Sequence, residues 1–296
     1  MPDHRLTIAT LLAGVLLPAA PALADDVVVA DPSARNVSAY ASTAAWSRLA
    51  ADNTFRLVVM GADGVAADAA VRPSRVPFEP DVGPTTTNGR MVVYSRCSGA
   101  SSTAGCDVYG YDVGARVERR IAAVSSAGRS EVGPSYFKGV LAFGRRGARG
   151  GLYVETPGKP ARRVWNGVVA ETDVSGSRVI ATNASLVRIS ERNGTHPRTL
   201  RRGRRGEEAK TVVTSPSLAR YRAFWLVTSR EFADEGTASS IVETVSVRSR
   251  ARRVGRVNRP FARAIDSVAL GSRSVPQLFS GSPGISRIDP PLAIPF

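Results

Sequence analysis

Asp81-Val82-Gly83-Pro84 and Glu131-Val132-Gly133-Pro134 are near copies of each other, 50 residues apart. Downstream of each comes a Gly, then an apolar run ending in an aromatic, a small residue and Arg. These runs are Met91-Val92-Val93-Tyr94-Ser95-Arg96 and Leu141-Ala142-Phe143-Gly144-Arg145. Asp173-Val174-Ser175-Gly176 reads as a third copy, and Pro216-Ser217, ahead of Ala223-Phe224-Trp225-Leu226-Val227, as part of a fourth. Self-similarity at a period near 40 residues is the mark of a repeat architecture.

Each unit continues in the same order. A second run alternates at period two, as a half-buried strand does: Asp107–Val113, Gly151–Glu155, Ser185–Ile189 and Ile241–Val245. A third run carries paired arginines: Arg119-Arg120-Ile121, Ala161-Arg162-Arg163-Val164 and Ala251-Arg252-Arg253-Val254. Gly, Pro, Asn and Ser fill the gaps as turns. Four short strands in roughly 40–45 residues is the period of a propeller blade. Worn units flank the clear four, one from Asn36 through Trp46-Ser47-Arg48 to Met60 and one from about Phe261 through Leu278-Phe279. The reading is an all-β, six-bladed propeller of four-stranded antiparallel blades over residues 25–296. The last unit lacks a fourth strand, while Val27-Val28-Val29-Ala30 stands spare before the first. Asp26 to Ala30 is therefore expected to pair near Ile285 to Ile288 and close the ring from the N-terminus.

Units of the form acid-x-x-Pro, Gly, strand ending near Ser-Arg, strand, then Arg-Arg-apolar resemble TolB-like propeller repeats, relatives in architecture of WD-repeat propellers. Tyr136-Phe137-Lys138-Gly139 stands where that family carries Trp-Ser-Pro-Asp-Gly. The resemblance covers nearly the whole chain after residue 24 and speaks to fold far more than to function.

The N-terminus reads as a bacterial signal peptide over residues 1–24. Arg5 precedes an apolar run from Leu6 to Leu17, Pro18 and Pro21 break it, and Ala22-Leu23-Ala24 is a small-x-small cleavage pattern ahead of Asp25. The run falls short of the roughly 20 residues that a membrane span needs. The expected address is secreted or extracytoplasmic. Cys97 and Cys106 are the only cysteines, and they flank a Ser/Gly-rich loop. In an exported chain such a pair reads as a disulfide.

The chain carries 40 basic and 25 acidic residues, a net charge of +15. Lys occurs only at 138, 159 and 210, so Arg supplies nearly all of the excess. That bias follows from a GC-rich genome, and with the exported address it argues against nucleic acid as a partner. One cluster exceeds what the repeat demands: Arg198, Arg201, Arg202, Arg204 and Arg205. It is the candidate patch for an acidic protein or an anionic cell-envelope polymer.

Asp81, Glu131 and Asp173, with Asn36 in the matching slot of the first unit, start the first strand of their units. First strands line a propeller's channel, so these acids could form a ring able to hold Ca²⁺ through oxygen ligands. The resemblance implies another role, bracing the turn into the blade by hydrogen bonds. There are two His residues, His4 inside the leader and His196 alone in a Gly-Thr-His-Pro turn. No Ser sits in Gly-x-Ser-x-Gly, so no nucleophile–base set is assigned. The expectation is a monomeric, non-catalytic exported scaffold that binds a protein, peptide or envelope polymer, without a cofactor. The alternative is a propeller lyase or hydrolase acting on a sugar or lactone with acids in its channel.

Overall fold

The computed structural model describes residues 27–98, 104–125, 128–203, 209–219, 222–231, 238–247, 257–261, 267–269, 278–281 and 284–287. Strands and turns make up all of it, with no helix among the described residues. The first sheet comprises β2 (Ala34–Tyr40), β3 (Thr43–Leu49), β4 (Phe55–Met60) and β5 (Ala66–Asp68), preceded in the chain by β1 (Val27–Val29). The second holds β6 (Asp81–Pro84), β7 (Arg90–Cys97), β8 (Cys106–Asp112) and β9 (Val117–Arg120). The third holds β10 (Glu131–Phe137), β11 (Val140–Arg145), β12 (Gly151–Thr156) and β13 (Lys159–Asn166). The fourth holds β14 (Glu171–Ser175), β15 (Arg178–Thr182), β16 (Leu186–Glu191) and β17 (Arg198–Arg202). The fifth holds β18 (Ala209–Ala219), β19 (Arg222–Glu231), β20 (Ala238–Ser246) and β21 (Val257–Phe261). Then follow β22 (Ser267–Ala269), β23 (Leu278–Gly281) and β24 (Gly284–Arg287).

Within each of the first five sheets the strands pair antiparallel in chain order. The last three strands form a sheet in the order β1-β24-β23-β22, with Val27 opposite Ser286 and Val29 opposite Ile285.

Burial follows strand position. The second strands β3, β11 and β15 are buried along almost their whole length, because neighbouring sheets cover both of their faces. The fourth strands β5, β9 and β17 are largely exposed edges. Each hydrophobic core lies between consecutive sheets rather than inside one. Leu57 of the first sheet meets Val82 and Tyr94 of the second, Val108 of the second meets Phe143 of the third, and Val154 of the third meets Val179 of the fourth. Ile189 of the fourth meets Trp225 of the fifth, and Val29 of β1 packs on the Trp46 cluster of the first. Four-stranded antiparallel sheets stacked face to face in chain order make a β-propeller.

Three second-strand aromatics are anchored at their polar tips. The Trp225 indole donates to Glu243 Oε2 at 2.7 Å, the Trp46 indole to Asp31 Oδ2 at 3.3 Å, and the Tyr94 hydroxyl to Glu118. After Trp46 and Tyr94 a serine couples to the next sheet, and Thr182 does so from the matching register position of β15. Ser95 donates to Glu131 O at 2.9 Å, Thr182 to Val213 O at 2.8 Å, and Ser47 accepts from Phe78 N at 3.0 Å. In the first and second sheets the aromatic-small pair is thus a wedge plus a latch.

Cys97 and Cys106 are opposite each other in register on β7 and β8 and form a disulfide, Cα–Cα 3.8 Å. The bridge closes the base of the hairpin between the second and third strands of the second sheet.

Candidate functional site: the inner strands and the arginine edge

The first strand of each sheet is its inner strand, and a single chain of hydrogen bonds runs from one inner strand to the next. Ser38 on β2 donates to Asp81 Oδ1 at 3.2 Å and accepts from Val82 N at 3.0 Å. Asp81 Oδ2 accepts from Tyr136 N on β10 at 2.9 Å. Ser135 on β10 donates to Asp173 Oδ1 at 3.0 Å and accepts from Val174 N at 2.9 Å. Asp173 Oδ2 accepts from Leu218 N on β18. The rule is constant. The residue after each belt position gives its N–H to the belt side chain of the preceding sheet, and the belt side chains alternate Ser38, Asp81, Ser135, Asp173, Ser217.

The backbone alternates with them. β2, β10 and β18 each carry a register shift just before the serine, between Arg35 and Ser38, Val132 and Ser135, and Thr214 and Ser217. Two residues ahead of each serine the chain turns left-handed, at Asn36 (φ 55°), Gly133 (φ 52°) and Ser215 (φ 48°). β6 and β14, which carry the aspartates, pair without a shift. At Gly133 a Cβ would stand 2.2 Å from Ala170 O of the next sheet, so a side chain is excluded by space as well as by φ.

This corrects the expected acid ring. Asp81 and Asp173 occupy equivalent positions, but Glu131 does not. The bulge in β10 puts Ser135 in the belt and leaves Glu131 four residues upstream, fully buried, with Arg145 Nε 3.0 Å from its Oε1. Arg145 also donates to Val124 O at 3.0 Å and lies over the Tyr153 ring, 4.3 Å from its centroid. Asn36 is likewise outside the belt: its side-chain amide donates to Phe78 O at 2.9 Å. No group of three metal-ligating side chains converges among the described residues.

Asp81 and Asp173 retain some solvent-accessible surface, but protein atoms crowd their carboxyl groups. Burial pushes Asp81 up to about 6, against the opposing pull of its hydrogen bonds. Burial pushes Asp173 up to about 7, and the negative charge of Asp81 adds to the shift. A third such acid, Glu79, two residues ahead of Asp81, has no distinguishing sequence signal. Burial raises it to about 7, only partly offset by Arg146. A cleft of about 320 Å³ beside the first sheet is lined by Ser33, Arg35, Asn36, Leu49, Phe55 and Pro77. None of the acids or patch arginines named above lines it.

Arg198, Arg201 and Arg202 of the arginine cluster lie on β17, the edge strand of the fourth sheet. Arg198 and Arg202 are exposed, whereas Arg201 turns toward the fifth sheet, its Nε 3.4 Å from Glu243 Oε2. Arg204 and Arg205 lie outside the described residues, as does the expected leader at 1–24. His196 is exposed in its turn at φ 51°.

No family model and no curated protein matches the chain. Solved structures similar to it include TolB from Acinetobacter baumannii, at 12% identity and TM-score 0.47 over 75% of this chain. The match spans about half, 52%, of that TolB chain. The β-propeller domain of the Trilobed protease from Pyrococcus furiosus is similar at 10% identity and TM-score 0.47, over 87% of this chain and 80% of that one. Puromycin hydrolase is similar at 12% identity and TM-score 0.44, over 89% and 55%. At these identities the likeness concerns fold alone.

Proposed function

We propose that the chain is an exported, six-bladed propeller that serves as a non-catalytic binding scaffold. The supporting observation is the engagement of its inner-strand acids. Asp81 and Asp173 each accept hydrogen bonds from two other sheets, and Glu131 is held by Arg145. These carboxylates join blades to one another. The partner is a protein, or an anionic polymer of the cell envelope, met by the β17 edge with Arg198 and Arg202 at its centre. The Cys97–Cys106 disulfide is compatible with an oxidising, extracytoplasmic setting, which the small-x-small site before Asp25 also favours.

Ring closure belongs to this reading. The pairing of β1 with β24 supports a sixth blade assembled from both chain ends. Deleting residues 25–31 is then expected to lower the melting temperature by several degrees, as a loss of about 1–2 kcal/mol does in a domain of this size. An unchanged melting curve would count against closure.

The partner surface is tested by the quadruple variant Arg198→Gln, Arg202→Gln, Arg204→Gln, Arg205→Gln, which leaves the Arg201–Glu243 pair in place. Its retention on heparin at low ionic strength should drop, with the melting curve unchanged. The wild-type retention should itself fade by 0.15 M salt, where charges are screened over about 8 Å. Equal retention of the two proteins would make the cluster plain solvated surface.

A further inference from the structure

From the first sheet to the fifth, each connection leads from the end of a fourth strand to the start of the next inner strand, so these connections gather at one end of the propeller. The turns between second and third strands lie at that end too, because neighbouring strands run antiparallel. Arg72 and Arg75 lie in the connection from β5 to β6, Arg129 in that from β9 to β10, and Arg149 in the turn between β11 and β12. Arg202 ends β17 opposite Leu186, the first residue of β16, and so reaches the same end. Hydrogen bonds tie these segments together. Arg96, one residue before Cys97, donates from Nη2 to Arg72 O at 2.9 Å. Cys106 N donates to Ser130 Oγ at 3.3 Å, and Arg146 N to Ser130 O at 2.9 Å. The base of the Cys97–Cys106 hairpin thus joins the loops of the first three sheets into one face.

Arg72, Arg75, Arg129, Arg149 and Arg202 are all exposed, and none of their guanidinium groups has a hydrogen bond or ion pair among the described residues. The acids of this end are already engaged. Asp52 pairs with Arg56, Asp68 with Arg48, Asp107 with Arg120 and Glu131 with Arg145. Asp31 accepts from Ser33 and from the Trp46 indole, and Glu171 from Ser215 N. Glu79, raised by burial to about 7, offsets only part of the neighbouring Arg146 charge near neutral pH. Positive charge therefore stands uncompensated on this face, spread over separate loops rather than gathered in one pocket.

We propose, building on the polymer partner above, that this end face, and not the β17 edge alone, binds an anionic polymer whose charged groups recur along its chain. An arginine fork grips a phosphate or carboxylate through two parallel N–H bonds. Forks set on separate loops suit a ligand with repeated anions, since each further contact forms at the effective concentration set by the first. A single free anion meets one exposed, salt-screened fork and is held weakly.

The test measures binding of the chain from Asp25 onward to long-chain inorganic polyphosphate at low salt. The combined variant Arg72→Gln, Arg75→Gln, Arg129→Gln, Arg149→Gln should raise Kd about tenfold or more and make log Kd against log salt shallower by about 2–3, with the melting curve unchanged. The same four positions changed to Lys should keep the salt dependence, because the charges remain. Free inorganic phosphate at equal total phosphate should compete poorly. Equal Kd and salt dependence in wild type and the Gln variant would overturn the proposal, as would free phosphate competing as well as the polymer. Binding to phosphatidylglycerol vesicles but not to polyphosphate would assign the face to a lipid surface and also overturn it. The β17 variant Arg198→Gln, Arg202→Gln, Arg204→Gln, Arg205→Gln is measured alongside. Loss of binding there, with full binding in the four-loop variant, leaves the polymer partner standing and removes this face. No binding of polyphosphate or heparin by wild type removes both.

Discussion

The inner strands are of two kinds. β2, β10 and β18 are bulged, turn left-handed two residues before the belt, and present a serine. β6 and β14 are regular and present an aspartate. A serine both accepts and donates, so it can take an N–H from the next sheet while giving its proton to that sheet's carboxylate. An aspartate accepts twice, so it can receive the serine hydroxyl from behind and an N–H from ahead. Each kind of blade completes the hydrogen bonding of the other. Two adjacent aspartate blades would place like charges side by side without a donor between them, and two adjacent serine blades would leave acceptors unfilled. Across the five sheets from β2 to β21 the repeating structural unit is therefore a pair of blades.

Attacking the bulged kind at its tightest point should have the largest effect. Gly133→Ala puts a methyl group against Ala170 O and forces a side-chain residue into positive φ. A loss of about 2–5 kcal/mol is expected, read by urea unfolding. Ser215 already tolerates the same backbone region, so Ser215→Gly should change stability by less than about 1 kcal/mol. Similar losses at the two positions would mean that the bulges are not equivalent and that the two-blade unit is a coincidence of side chains. The regular kind should reveal itself through pH. Unfolding free energy is expected to decline as pH rises from about 4 to about 7, by on the order of 2 kcal/mol, because Asp81 and Asp173 hold protons more tightly folded than unfolded.

Much of this was legible in the amino-acid order. Period-two runs separated by turn residues mark the strands, and the aromatic-small-Arg ending marks the second strand of a blade. The small residue there is the inter-sheet latch seen at Ser47 and Ser95. The disulfide followed from two cysteines flanking a Ser/Gly-rich loop. The belt was not legible, for a physical reason. Asp-Val-Gly-Pro and Glu-Val-Gly-Pro look like the same slot, but the β10 bulge displaces the equivalence by four residues, so Glu131 aligns with Asp81 in letters and Ser135 aligns with it in space. A bulge leaves a weak trace, here a single residue at positive φ that is Gly in only one of three cases. The serines gave only half a signal: Pro134-Ser135 recurs as Pro216-Ser217, which marks a repeat, but nothing in the letters sets those serines in the slot of Asp81. The arginine cluster divides for a similar reason. Arg201 differs from Arg198 only through Glu243, some forty residues later on another sheet.

The central claim is that the inner-strand carboxyl groups bind blade to blade, and a double-mutant cycle between Ser135 and Asp173 tests it most directly. Ser135→Ala, Asp173→Ala and the double variant are compared with wild type by urea unfolding at one pH near 5. If the two side chains form one joint across two blades, the losses will be non-additive, with a coupling energy of about 1 kcal/mol or more. Losses that add to within about 0.3 kcal/mol would mean that the two groups act independently, and the belt would then be proximity without a bond.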